Sequence, residues 1–206
     1  MSRAERKTCV LLCTLVLATV VSAAILAKEE PDRVALQIGD RAPGFVLKTL
    51  NPELCGMELL SSRRLFGSAE ETADAPLAVV LSFGANSCKP CIRELPALQA
   101  LHDRLGERGL AVVFINIDSE REEIDAMLAR IREQKLTIPV LSDRFTILAM
   151  RYGASELPFL LLVAPDGRIR WVRKGYGKSV ISNLEAVLRS MLPEKAGDPP
   201  GPQETQ

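Results

Sequence analysis

The stretch LAVVLSFGANSCKPCIRELP, residues 77–96, decides the fold of this chain. It begins with an apolar run typical of a β-strand, which ends at Phe83 and is followed by four small or polar residues. Cys88 and Cys91 then open a segment in which leucines recur at helical spacing, at positions 95, 98, 101 and 105. The stretch therefore predicts a strand, a tight turn and a helix, with two cysteines where the helix begins.

The position of the two cysteines favours thiol chemistry. The first turn of a helix carries unpaired N–H groups and a partial positive charge, and both favour a thiolate over a thiol. Lys89 adds a nearby cation. We therefore expect Cys88 to attack as the nucleophile and Cys91, one turn further, to resolve the mixed disulfide that forms.

A structural zinc site is the other interpretation of this cysteine pair. Such a site needs four ligands, but the chain has no second pair of this spacing and its single histidine is His102. Because the pair follows a strand and opens a helix, the redox interpretation is favoured. We expect neither a metal ion nor a cofactor.

Composition limits the domain count and the partners. The chain has 206 residues, of which 26 are basic and 26 acidic, so its net charge is zero. A neutral chain gives no reason to expect a nucleic-acid partner. About 165 residues between the two ends are enough for one domain with a substantial core.

The N-terminal segment predicts a membrane anchor. Thr8 to Ala27 contains twenty residues without a charge. At about 1.5 Å per residue they span the ~30 Å hydrocarbon layer of a bilayer. Arg3, Arg6 and Lys7 in front of them place the N-terminus in the cytoplasm. A cleaved signal ending at Ser22 to Ala24 is the alternative, but the apolar stretch exceeds the ~7 to 15 residues usual for such signals.

The chain is accordingly divided into four parts. We predict that residues 1–28 form a signal anchor, 29–36 a polar tether and 37–192 the folded domain. Residues 193–206 contain four prolines, two glycines and no large apolar side chain, which predicts a disordered tail. Cys55 lies within the domain, where a lone cysteine is either a small buried hydrophobe or a third redox thiol.

The rest of the domain alternates strands and helices. A hairpin is predicted from residues 45–47 and 57–60, and a helix with a capping box at Ser119 and Glu122. The other predicted elements are strands at 110–117, 138–141, 159–163 and 169–173 and helices at 142–152 and 180–191. This order predicts an α/β fold with a mixed sheet.

Four motifs give the chain a family resemblance between about Ile38 and Leu192. They are the opening IGDRAP at 38–43, CKPC at 88–91 with Glu94 and Pro96 after it, Leu157-Pro158 before a strand, and PDG at 165–167. The chain resembles the thioredoxin superfamily and, within it, the membrane-anchored, exported thiol-disulfide oxidoreductases of the TlpA/ResA type. This resemblance implies a three-layer fold, with helices on both faces of a mixed central sheet, an N-terminal hairpin extension and an anchor helix.

The resemblance also implies the roles of the site residues. The Leu157–Pro158 peptide is expected to be cis, to face the cysteines and to keep the Leu157 backbone extended for a substrate peptide. We expect Ser87, Lys89 and Pro90 to contact the substrate as well.

Glu94 is expected to lie near the cysteines, to influence their titration and to accept the proton of Cys91. A solvated carboxylate on the helix surface is the alternative for Glu94. Two departures from the family are visible: Ser87 stands where relatives have Trp, and Ser82 stands where thioredoxins carry an acid.

The expected function is disulfide exchange with a protein partner on the periplasmic side of a bacterial inner membrane, to which a single-pass helix tethers the domain. Reduction is the expected direction, for example of apocytochrome c or metal-site cysteines, and it requires a transmembrane electron donor. A thiol peroxidase is one alternative, although Ala85 stands where peroxiredoxins have the Thr of Thr-x-x-Cys. A Cu(I)-binding assembly factor is the other, since thiolates suit Cu(I).

Overall fold

The computed structural model describes residues 36–67, 75–177 and 179–193. Its strands are β1 (Val46–Lys48), β2 (Leu59–Ser61), β3 (Ala78–Gly84), β4 (Leu110–Asn116), β5 (Val140–Ser142), β6 (Phe159–Val163) and β7 (Ile169–Lys174). Its α-helices are α1 (Pro52–Cys55), α2 (Lys89–Leu105), α3 (Arg121–Gln134), α4 (Ile147–Tyr152) and α5 (Val180–Arg189). Two 3₁₀ turns, Ser62–Arg64 and Gly106–Arg108, complete the regular structure of these ranges.

Five strands form a mixed central sheet in the order β5-β4-β3-β6-β7. β3, β4 and β5 are parallel, whereas β6 is antiparallel to β3 and β7 is antiparallel to β6. Helix α2 connects β3 to β4, and helix α3 connects β4 to β5. Parallel strands need such crossover connections. β6 and β7 are joined by the tight turn at PDG. The mixed sheet predicted from the order of the elements is confirmed.

Two apolar layers lie on opposite faces of this sheet. On one face, the even-numbered side chains of β3 and β4 pack against α2, α3 and α5. On the other face, the odd-numbered side chains pack against α4 and the N-terminal part of the domain. β3 is buried along its whole length, as expected of a strand covered on both faces. The prediction of helices on both faces is confirmed.

The predicted hairpin is present as the antiparallel pair β1 and β2, with α1 in its connection. Asn51, fully buried at the start of α1, ties this connection to the sheet. Its amide donates to the carbonyls of Leu136 and Ile138, both at 2.9 Å, and its Oδ1 accepts from the Val140 N–H at 3.0 Å. Cys55 at the end of α1 is a free, half-buried thiol.

Two predicted helix starts are wrong. The capping box is absent because the N-cap of α3 is Glu120, without a side-chain cap, and the Ser119 hydroxyl instead lies 3.4 Å from the Glu120 carboxylate. Helix α4 begins five residues after Ser142, since Ser142 still belongs to β5. The Asp143 carboxylate accepts from the N–H groups of Leu148 and Ala149 and so satisfies that later helix start.

The predicted membrane anchor lies outside the described residues, as do residues 29–35 of the tether and 194–206 of the tail. Within the described ranges, every helix is too short or too polar to cross a bilayer.

Candidate active site

The two cysteines form a disulfide at the start of α2. Their sulfurs are 2.13 Å apart and their Cα atoms 5.3 Å. Cys88 is the N-cap residue, and its Sγ accepts the N–H of Cys91 at 3.3 Å. Cys91 is 0% exposed, whereas Cys88 is only half-buried. Cys88 is therefore the member of the pair that is accessible to solvent, and Cys91 is not.

Helix α2 can approach the sheet closely because β3 ends in a glycine. A Cβ added to Gly84 would lie 2.9 Å from the Cβ of Cys91 and 2.6 Å from Cζ of Phe114, and real Cβ atoms do not come so close. The hydrogen atom of glycine thus leaves space for the buried cysteine at the carboxyl end of β3.

The loop between β3 and Cys88 is held by a carboxylate that follows β4, the neighbouring strand. The Asn86 N–H donates to both oxygens of Asp118, at 3.1 and 2.8 Å, and the Asn86 amide donates to Glu123 at 2.6 Å. Burial raises the pKa of Asp118, and the Asn86 N–H opposes that rise. Asp118 follows β4, so the rule that the carboxyl ends of parallel strands meet at one edge would have found this pair.

The Leu157–Pro158 peptide is cis, as expected. Phe159 pairs with Phe83 in antiparallel register, which places Pro158 level with Gly84, the glycine that packs against Cys91. The Leu157 backbone makes no hydrogen bond within the described ranges, and its side chain is half-buried. An extended segment of a second polypeptide would find this N–H and C=O unpaired.

Glu94 is buried, one turn after Cys91 on the same side of α2. It is 7% exposed, and among the described residues its Oε2 has no hydrogen-bond partner. Burial raises the pKa of Glu94 to about 7, because water no longer stabilises the carboxylate. Glu94 is therefore not a solvated surface carboxylate, the alternative that the sequence left open.

Other polar atoms are buried without a partner on the same face of the sheet. In the part of the chain that the structure describes, they include Ser82 Oγ. The Asn116 amide, also buried, interacts with the Asp118 carboxylate and lowers its pKa. Both residues are fully buried, and Asn116 pairs with Gly84 across β3 and β4. At position 82, β3 therefore carries a buried hydroxyl group where thioredoxins have a carboxyl group.

The remaining predicted contact residues surround the exposed sulfur. Ser87 and Lys89 are exposed and Pro90 is half-buried. Sequence reasoning missed the contact between Arg93, in the second turn of α2, and Tyr176; the guanidinium lies 5.1 Å from the ring centroid. Sequence periodicity relates only residues that are close together in the chain, so it could not predict this contact.

Comparisons with known proteins agree with this geometry. The model of the AhpC/TSA family matches residues 38–172. The thiol-disulfide oxidoreductase ResA of Oceanobacillus iheyensis is 27% identical over 88% of this chain and 86% of that protein. The thioredoxin-like protein YneN of Bacillus subtilis is 30% identical over 69% of this chain and 74% of that protein.

Solved structures support the fold. The thioredoxin domain of a thiol-disulfide oxidoreductase from Bacteroides vulgatus superposes with a TM-score of 0.56 at 18% identity, covering 74% of this chain and 99% of that domain. StoA from Bacillus subtilis gives 0.53 at 23% identity, covering 70% of this chain and 95% of that chain. The fold described above is thus thioredoxin-like.

Proposed function

Because this chain belongs to the AhpC/TSA family, we propose that it is a thiol-disulfide oxidoreductase that exchanges disulfides with protein partners. One observation carries the proposal: Cys88 and Cys91 are at bonding distance at the start of a helix, with one sulfur accessible and the other buried. This asymmetry supports an attacking role for Cys88 and a resolving role for Cys91.

The exchange proceeds in two displacements. The reduced Cys88 thiolate attacks one sulfur of a client disulfide, forms a mixed disulfide and releases the other client sulfur as a thiolate, which takes up a proton. The Cys91 thiolate then attacks the Cys88 sulfur and releases the second client thiolate. Two electrons pass to the client, and the enzyme retains the Cys88–Cys91 disulfide until a dithiol donor reduces it.

Glu94 supports the second displacement as a proton acceptor. The Cys91 thiol must lose a proton before it attacks, and it is buried away from water. A carboxyl group one turn away with a pKa of about 7 is ionised in half of the molecules at neutral pH. It can therefore take this proton without a large energetic cost.

The client segment lies across the cis peptide. In this proposal, the unpaired N–H and C=O of Leu157 bind its backbone as an added strand would, and Pro158 orients that edge towards the cysteines. Ser87, Lys89 and Pro90 complete the contact surface around the exposed sulfur.

The direction and location of the reaction are further parts of the proposal. We place the domain on the periplasmic side of a bacterial inner membrane, tethered by residues 1–28, where it acts as a reductant for cysteines of cytochrome c or metal-site proteins. A transmembrane electron donor renews its dithiol. The uncharged run at Thr8 to Ala27 and the likeness to proteins named ResA support this assignment.

Trapping of the mixed disulfide tests the function. In Cys91→Ser the resolving thiol is lost, so Cys88 should remain covalently linked to its clients. These adducts should appear as heavier bands in non-reducing gels and disappear with dithiothreitol. The matched control Cys88→Ser should give none. If folded Cys91→Ser captures nothing, the assignment of the nucleophile or the function is wrong.

A thiol peroxidase remains the second candidate, because the family model that matches is AhpC/TSA and its match begins at the opening motif near Ile38. Against it, Ala85 replaces the Thr of Thr-x-x-Cys. Peroxide consumption at enzymatic rates with a thiol donor would reverse this ranking.

The copper alternative receives less support. His102 lies fourteen residues after Cys88 in α2, about 21 Å along the helix axis, and so is too far to join the two sulfurs in one site.

A further inference from the structure

An exposed aromatic side chain lies beside the proposed active site. Tyr176 is 50% exposed, and the Arg93 guanidinium is centred 5.1 Å from the centroid of its ring. Such a contact is an attraction between the cation and the electron-rich face of the ring, and it holds the guanidinium in one place. Within the described ranges, the N–H donors of the Arg93 side chain have no hydrogen-bond acceptor.

Both members of this pair are tied to the redox centre. Arg93 lies on the exposed side of α2, one turn after Lys89, and α2 is the helix that begins at the two cysteines. On the other side, the N–H of Gly175, the neighbour of Tyr176, donates to the carbonyl of Pro158 at 2.9 Å. The pair therefore bridges the helix of the cysteines and the loop of the cis peptide. A client segment that lies across Leu157 is therefore next to the loop that carries Tyr176.

The charge of this surface is mainly positive. Lys89 and Arg93 are four residues apart, so they share one exposed strip of α2. Neither makes an ion pair in the part of the chain that the structure describes. Arg173 is half-buried on the same side of the sheet. One facing carboxylate is Glu156, which covers Gly175 so closely that a Cβ there would overlap it. The second is Glu94, which is buried.

We propose that Arg93 and Tyr176 form a docking surface for the client segment next to its redox cysteine, and that this segment carries carboxylates. The inference rests on the proposed exchange function and specifies its substrate class. Tyr176 supplies an exposed aromatic face next to the loop of the cis peptide. Arg93, held against the ring, offers parallel N–H groups that match the two oxygens of a carboxylate.

Two model peptides of equal length test this proposal. Each contains one disulfide, flanked in one peptide by glutamates and in the other by lysines, and the neutral 2-hydroxyethyl disulfide reports exchange without docking. With the reduced full-length protein at low salt, kcat/KM for the acidic peptide should exceed that for the basic peptide about fivefold to tenfold. The ratio should fall towards one at about 1 M salt, because exposed charges are then screened.

Variants separate docking from a structural effect. Arg93→Glu should invert the ratio of kcat/KM for the acidic and basic peptides, so that the basic peptide is preferred. Arg93→Lys should retain the preference for the acidic peptide. Tyr176→Ala should raise KM for the acidic peptide, whereas Tyr176→Phe should not. The matched control is Arg132→Glu, the same charge change at an exposed position near the end of α3. It should leave the ratio and the basal rate unchanged.

The outcomes are distinct. An inverted ratio in Arg93→Glu supports docking. An unchanged ratio, with exchange still present, overturns the docking surface and leaves the exchange function intact. No exchange of any of the three disulfides by folded, reduced protein overturns both.

Discussion

Replacement of the buried carboxylate at position 94 tests the electrostatics of the site most directly. Glu94→Gln keeps the size of the side chain and removes its charge. The pKa of Glu94 is raised from 4.5 to about 7 in the folded chain, because burial removes water from the carboxylate. The folded state therefore holds this proton more tightly than the unfolded state. Between pH 4.5 and 7, the contribution of Glu94 to the free energy of unfolding therefore falls as pH rises.

The size of the effect follows from this difference. Each pH unit between the two pKa values corresponds to about 1.4 kcal/mol. Between pH 5 and pH 8, ionisation of Glu94 should cost the folded state roughly 2 to 3 kcal/mol. The amide introduced by Glu94→Gln does not ionise and so avoids this cost. The stability of Glu94→Gln relative to the unmodified protein should thus rise by the same amount over that range.

Urea unfolding at pH 5 and pH 8 measures the effect. Both proteins are kept oxidised, so that Cys88 and Cys91 do not titrate in this range. The control Glu133→Gln, at an exposed position of α3, should change stability by less than about 0.5 kcal/mol at both pH values. Equal differences between Glu94→Gln and the unmodified protein at the two pH values would refute a neutral, desolvated Glu94.

Two substitutions test the scaffold by the same measurement. Gly84→Ala should lower the free energy of unfolding by about 1 to 3 kcal/mol, because its Cβ would overlap the Phe114 ring. The control is Gly44→Ala, where an added Cβ has more space. Equal stability of the two variants would contradict the close approach of α2 to β3. Asn51→Ala should lower the free energy of unfolding by at least about 3 kcal/mol, since it leaves three buried backbone groups unpaired. The control is Asn183→Ala at an exposed position, and an equal loss in the two variants would show that water replaces the Asn51 amide.

The sequence predicted the elements better than their exact starts. Periodicity predicts where apolar side chains recur, so it found the strands and helices around Cys88 and the hairpin of β6 and β7. It could not show that Asp143, five residues before Leu148, would cap α4 from the end of a strand. Nor could it show that Ser119 would leave the start of α3 uncapped. Such hydrogen bonds depend on the direction in which the chain leaves each strand.

The chemistry of the cysteine pair was determined by the sequence itself, because their spacing and the strand-to-helix change around them are local. The tertiary structure alone decided which sulfur is exposed, how deeply Glu94 is buried and that Tyr176 meets Arg93. The physical reason is that desolvation and charge proximity depend on atoms far apart in the chain. These atoms meet only when the carboxyl end of β3, the start of β6 and the end of β7 come together at one edge of the sheet.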